Sequence, residues 1–126
     1  MKVRYSRNNE ISIEGSIDKL AKFHQDILDF VRSEKIEFVT VLNFSFNPAP
    51  YESAAINIIF RIADENSVYI DGKSLFFTGA KEFFSDFAHN IPFDVDTIPY
   101  HVHYDYISFP EFLNETSPDL VIEATA

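Results

Sequence analysis

The chain has 126 residues, of which 46% are hydrophobic and 16% aromatic, with no cysteine and a formal net charge of −10. This length suits one domain over residues 1–126 with a core of its own, and the apolar content argues against global disorder. The lack of cysteine excludes disulfides, thiolate metal sites and a cysteine nucleophile.

The acidic charge disfavours nucleic acid and anionic membranes as partners and favours a basic protein partner. The alternative is that the charge only keeps a phenylalanine-rich protein soluble. No apolar run approaches the ~18 residues that a membrane span requires. The first residues are basic but lack the apolar run of a signal peptide. We therefore expect a soluble cytoplasmic protein.

The first third of the chain predicts a strand, a helix and then more strands. The stretch EISIEGS alternates apolar and polar residues and breaks at Gly15, which indicates a strand. Ser16 follows as a candidate N-cap for IDKLAKFHQDILDFVRS, whose apolar residues recur at helical spacing. The β-branched and aromatic runs IEFVTVLNFSFNP and SAAINIIFRIA predict two neighbouring strands.

The remaining elements begin with a hairpin. Asp71-Gly72 lies between two β-rich halves, a strong signal for a tight turn. A second helix is predicted over AKEFFSDFAHNI, starting at Thr78 or Gly79, and Pro92 closes it. The runs YHVHYDYI and DLVIEA predict the last two strands.

The predicted order is β-α-β-β-β-β-α-β-β. Runs of strands joined by short turns, with few helices, favour an α+β fold over alternating α/β. We expect a single, mostly antiparallel sheet with both helices packed on one face.

The stretch PYHVHYDYISFP raises the question of a metal site. On a strand, His101, His103 and Asp105 share one face, and zinc or a similar ion suits two imidazoles with Asp105 or Glu111 as a third ligand. Two histidines alone are a weak site, and a face of alternating polar residues is also what a sheet presents to water. We predict no metal; if one binds, His101 and His103 are its ligands.

The other chemistry is sparse. His24 falls on the apolar side of the first helix, at the core edge or with a hydrogen-bond partner, and His89 falls near the end of the second helix. There is no Gly-x-Ser-x-Gly motif and no glycine-rich phosphate loop. We predict no catalytic residues and no cofactor.

The segment NIPFDVDTIPYHVHYDY has the composition of a binding surface, because acidic residues are interleaved with aromatic ones. Aromatic side chains anchor interfaces, and carboxylates steer basic partners. The alternative is a strand with core aromatics on one face and solvated acids on the other. The candidate contact residues are Asp94, Asp96, His101, His103, Asp105 and Glu111.

Both ends of the chain resemble a known family. The opening ISIEGSIDKLAKF and the closing YHVHYDY and FLNETSPDLVIEA are similar to immunity proteins of bacterial polymorphic toxin systems, most of all the immunity protein 32 family. Residues 37–91 match only in type of element. The resemblance implies a stoichiometric inhibitor of a toxin domain, such as a nuclease or another toxin that acts in the cytoplasm. It assigns no catalytic or contact residues.

Two alternatives remain open at this point. One is a small metal-dependent enzyme centred on His101 and His103. The other is a self-associating structural or regulatory domain, in which the aromatic surface is a homodimer contact.

Overall fold

The computed structural model of the chain describes residues 1–6, 10–42, 46–104 and 119–126. Within them lie two helices, α1 Ile17–Arg32 and α2 Lys81–His89. The strands are β1 Lys2–Ser6, β2 Glu10–Ser16, β3 Glu37–Val41, β4 Ser53–Ala54, β5 Asn57–Ile62, β6 Ser67–Asp71, β7 Ser74–Gly79, β8 Tyr100–Tyr104 and β9 Asp119–Thr125. The α+β class predicted from the sequence is confirmed.

The strands form two sheets, so the prediction of a single sheet was wrong. One sheet has the order β4-β1-β2-β9-β8 and the other the order β3-β5-β7-β6. The run SAAINIIFRIA, predicted as one strand, serves both sheets because its partners change midway. Ala55 N–H donates to the carbonyl of Val3 in β1, whereas Ile56 N–H donates to the carbonyl of Lys73, the residue before β7.

Most strand pairs among the described residues are antiparallel, as predicted. The exceptions are β2 with β9 and β5 with β7, which are parallel. The first of these pairs brings the two ends of the chain together. Strand β1, which the sequence analysis missed, pairs with β2 and buries Val3.

Helix α1 forms where it was predicted. The Ser16 Oγ accepts a hydrogen bond from Lys19 N–H, and Leu20, Phe23, Ile27 and Phe30 are buried. Helix α2 begins at Lys81, later than predicted, because Thr78 and Gly79 still belong to β7.

The core lies between the helices and the inner faces of both sheets. Phe60 of β5 is fully buried and stacks on Phe77 of β7, with Phe23 of α1 and Phe87 of α2 beside it. The helices contact each other, but α1 lies mainly on β2 and β9 whereas α2 lies on β7. The expectation that both cover one face of one sheet was therefore also wrong.

The predicted hairpin is confirmed as β6 and β7. Asp71 pairs with Ser74 to close it, and Gly72 adopts a φ of 63°, the left-handed conformation that favours glycine. Neither helix in the described parts of the chain is long and apolar enough to cross a membrane.

Candidate partner-binding face

Strand β8 holds its two histidines on the outer side of the five-stranded sheet. His101 and His103 are exposed, whereas Tyr104 is buried and Val102 is half-buried on the inner side. The Tyr104 hydroxyl donates a hydrogen bond of 2.6 Å to the carbonyl of Asn90, which fixes β8 to the end of α2. Burial, and then the nearby Tyr100, raise the pKa of Tyr104 to about 12. The predicted amphipathic strand is confirmed over residues 100–104.

The neighbouring strand β9 places a carboxylate beside each histidine. His101 lies opposite Glu123 in the antiparallel register. The Nε2 of His103 lies 3.8 Å from an oxygen of Asp119, and both side chains are about half exposed. The histidines of β8 therefore form the border of an acidic strand.

Strand β2 continues this pattern from the other end of the chain. In the parallel register, Glu10 lies beside Asp119 and Glu14 lies beside Glu123. The alternate residues Ile11, Ile13 and Ile122 are buried on the inner side, so the carboxylates share the outer side. We call this surface the acidic face; it comprises Glu10, Glu14, His101, His103, Asp119 and Glu123.

The two carboxylate pairs oppose the stability of the sheet. Neighbouring strands are ~4.8 Å apart, and like charges directly opposite each other repel. Glu14 is partly compensated by Arg4, whose Nη2 lies 3.5 Å from its carboxylate. Within the described parts of the chain, Glu123 forms no ion pair. The acidic face thus keeps a carboxylate that the fold itself does not use.

The cations next to the acidic face are covered by the segment before β4. The Lys2 ammonium lies over the Phe46 ring at 5.1 Å, and the Arg4 guanidinium lies over the Tyr51 ring at 4.9 Å. The Tyr51 hydroxyl donates a 2.8 Å hydrogen bond to Glu10. Burial, and then that hydrogen bond, raise the pKa of Tyr51. The segment engages the cations on the β1 side, whereas His101, His103 and Asp119 on the β8 and β9 side are exposed.

The connection that leads into β8 supplies the other candidates. Asp94 and Asp96 are exposed there, on the chain between α2 and β8. Ile98 and Tyr100 are also exposed, by 41% and 44%. Apolar and acidic side chains thus alternate along the residues that precede the histidines.

The remaining sequence-based candidates, Asp105 and Glu111, lie outside the described residues. In the described ranges, no group of three or more histidine, aspartate, glutamate or cysteine side chains is arranged to hold a metal ion. The two other histidines form hydrogen bonds to backbone carbonyls. His24 Nδ1–H donates a hydrogen bond of 2.7 Å to the carbonyl of Ala88, and a hydrogen-bond partner was one of the two placements predicted for this residue. His89 Nδ1–H donates a hydrogen bond to the carbonyl of Ser85.

Sequence reasoning missed four members of the acidic face, namely Glu10, Glu14, Asp119 and Glu123. Their signal was present in the alternation of EISIEGS and DLVIEA, which places each carboxylate on the polar side of its strand. What the sequence lacked was the parallel pairing of β2 with β9, which makes these separate residues neighbours.

The described residues define an α+β protein in which one sheet has an acidic outer face. Comparisons of the chain with known protein families, with curated proteins and with solved structures find no match. The resemblance to immunity proteins therefore stays a prediction that rests on the two ends of the chain.

Proposed function

We propose that the chain is a cytoplasmic immunity protein, which binds a basic toxin domain stoichiometrically and performs no catalysis. The contact surface in this proposal is the acidic face together with Asp94 and Asp96. The observation that supports it most is the juxtaposition of Glu14 with Glu123 and of Glu10 with Asp119. Like-charge pairs on neighbouring strands weaken a sheet, and such local conflicts are typical of functional surfaces.

The chemistry of binding follows from charge and shape. Toxins that cleave nucleic acid hold phosphates with lysine and arginine, and a face of carboxylates competes for the same cations. The charge of −10 also steers a basic partner during encounter, which speeds association. Ile98, in the connection that also contains Asp94 and Asp96, would supply exposed apolar contact area beside these carboxylates.

Capture of partners tests the proposal directly. The protein is used as bait for toxin domains encoded beside its gene and for lysate of its source organism, at low and at high salt. We expect a basic toxin domain to be retained at low salt and its toxicity to be lost in the complex. Failure to retain or neutralise any toxin domain at either salt concentration contradicts the proposal.

Matched charge reversals identify the surface. Glu123→Lys should weaken toxin binding about tenfold and reduce its salt dependence, because one steering charge is inverted. Glu65→Lys changes the net charge equally, but lies between β5 and β6 of the other sheet, and should leave the affinity unchanged. Equal effects of the two variants would mean that only the net charge matters and that the acidic face is not the contact.

Self-association of the free chain is tested separately from toxin binding, with the same protein and the same variants. Light scattering at several protein concentrations reports whether the free chain is a monomer. A homodimer that Glu123→Lys dissociates, without any toxin bound, would assign the acidic face to a second copy and overturn the proposal.

A further inference from the structure

Strand β3 is an edge strand whose one charged residue, Glu37, is paired with Arg61 of β5 at 3.1 Å. It pairs with β5 on one side, and no other described strand pairs with it. Its sequence EFVTV contains neither lysine nor proline, and Ile36, Val39 and Val41 are exposed by 72%, 44% and 82%. Natural sheet edges normally carry charges, prolines or bulges, because an open edge recruits other strands.

The other described edges are better protected. Strand β8 exposes two histidines, and β4 is only two residues long. Strand β6 ends in Asp71 and follows the acidic turn residues Asp64 and Glu65. The apolar edge of β3 is therefore the exception within this fold.

The backbone of β3 presents free hydrogen-bonding groups at regular positions. Leu42 N–H donates to the carbonyl of Ile56, and Ile62 N–H donates to the carbonyl of Ile36, so residues 36 and 42 face β5. Hydrogen-bonded and outward-facing residues alternate along an antiparallel strand. The N–H and C=O groups of Glu37, Val39 and Val41 consequently point away from β5, toward the open edge.

A groove runs beside this edge, between β3 and α1. Its larger part has a volume of about 340 Å³ and its walls include Phe23 of α1 and residues 38–41 of β3. A smaller part of about 160 Å³ continues past Phe38 toward Ser33. The groove can therefore accept the inward-pointing side chains of a strand added to β3.

Three lysines and two aspartates line the groove. Asp26 forms an ion pair with Lys22 Nζ at 2.7 Å, and Asp29, which accepts a hydrogen bond of 2.9 Å from Gln25 Nε2, keeps its charge. Lys19 lines the part of the groove that contains Val41, and Lys35 lines the part that ends at Phe38. Neither lysine forms an ion pair with another described residue.

From these features we propose that the open edge of β3 binds an extended segment of a partner protein, which adds to the sheet as a further strand. The segment is apolar in its middle and carries an acidic residue at each end. Backbone hydrogen bonds to Glu37, Val39 and Val41 supply affinity, and alternate side chains enter the groove. The end carboxylates pair with Lys19 and Lys35. At ~3.4 Å per residue, a segment of about seven residues runs alongside residues 35–41.

Peptide binding tests the proposal independently of any toxin. The probe is a peptide of alternating valine and threonine with aspartate at both ends. It is N-methylated at alternate backbone nitrogens along one edge so that it does not pair with itself. The comparison peptide carries lysine at both ends. Calorimetry should show binding of the aspartate peptide. In NMR spectra of the protein, the amide signals of Glu37, Val39 and Val41 should shift when the peptide is added.

The variant Val39→Pro removes an outward N–H but no hydrogen bond to β5, since Val39 faces the open edge. We expect it to weaken peptide binding about tenfold, whereas the control Val39→Thr, which keeps the N–H, should bind like the parent. Thermal unfolding verifies that both variants fold. The surface variant Lys19→Gln with Lys35→Gln should lose the preference for aspartate ends.

Three outcomes would overturn the proposal. One is the absence of binding by the aspartate peptide to the parent chain. The second is equal binding of the lysine peptide, which would contradict the acidic partner. The third is self-association of the chain that Val39→Pro abolishes while no peptide binds, which would assign the edge to a second copy.

Discussion

Glu14 of β2 and Glu123 of β9 lie side by side on the outer face of the five-stranded sheet, although more than a hundred residues separate them in sequence. Arg4 compensates the first carboxylate, and no described cation pairs with the second. The hydrophobic inner face sets the register of β2 and β9, because a shift by one residue would expose Ile13 and Ile122. Packing of the core therefore places the two carboxylates side by side on the surface, where they repel each other.

Removal of that repulsion should stabilise the protein. For Glu123→Gln we expect the free energy of unfolding to rise by about 0.2–1 kcal/mol, because the neighbour of Glu14 becomes neutral. Urea unfolding measures the change, and high salt should shrink it. The control Glu65→Gln removes an equal charge from an exposed turn and should change stability less. A loss of stability in Glu123→Gln at low salt would show that this carboxylate supports the fold.

The raised pKa of Tyr104 predicts a loss of stability in alkali. Its folded-state pKa of about 12 exceeds the unfolded value of 10, so the unfolded chain releases this proton first. The stabilising effect is complete below about pH 10 and disappears as the pH rises from there to about 12. Tyr104→Phe should therefore flatten the decline in urea midpoint over this range, relative to the parent chain.

At neutral pH the same variant should be less stable by about 1 kcal/mol, because the hydrogen bond to Asn90 is lost. Tyr69→Phe, which removes the hydroxyl of a partly exposed tyrosine of β6, serves as the control for the loss of a tyrosine hydroxyl. Parallel alkaline profiles for the parent chain and Tyr104→Phe would contradict the assignment.

Phe60 joins the two helices to the four-stranded sheet. Its ring contacts Phe23, Phe38, Phe84 and Phe87, in addition to the stacked Phe77. Phe60→Ala should lower the free energy of unfolding by about 3–5 kcal/mol, because a cavity opens where these rings meet. The half-buried Phe76 lies on the outer face of the neighbouring strand, and Phe76→Ala should cost less in the same urea assay. Equal losses would place the centre of the core elsewhere.

Gly79 ends β7 in a conformation that other residues avoid. Its φ is 150°, and an added Cβ would collide with the Asn66 side chain and lie 2.9 Å from Phe83 Cδ2. We expect Gly79→Ala to destabilise the protein by about 1–3 kcal/mol in thermal or urea unfolding. Gly72→Asn is the matched control, since asparagine tolerates the φ of 63° and the position is open. Similar stability of Gly79→Ala and the parent chain would contradict this account.

Local patterns in the sequence were sufficient for most elements. The apolar stripe and Ser16 cap of α1, the Asp71-Gly72 hairpin signal and the alternation of YHVHY each correspond to an observed helix, turn or strand. Each depends on the periodicity of a helix or strand or on turn chemistry, which neighbouring residues determine. The strand β1 was missed because KVRYS combines a short apolar alternation with basic residues.

The candidate site was predictable in part, for a related reason. The exposure of Asp94, Asp96, His101 and His103 follows from local polarity, and the sequence placed all of them in one segment. The glutamates of β2 and β9 could not be joined to that segment, because no local signal specifies which strands pair.

Composition and periodicity are sufficient to specify the α+β class, the acidic charge and the side of each strand that faces water. Tertiary structure alone decided that SAAINIIFRIA divides between two sheets and that the chain ends meet in a parallel pair. It also decided that β3 lies at an open edge. Periodicity is a property of neighbouring residues, whereas strand pairing depends on how distant apolar faces are buried together, and only the folded chain contains that information.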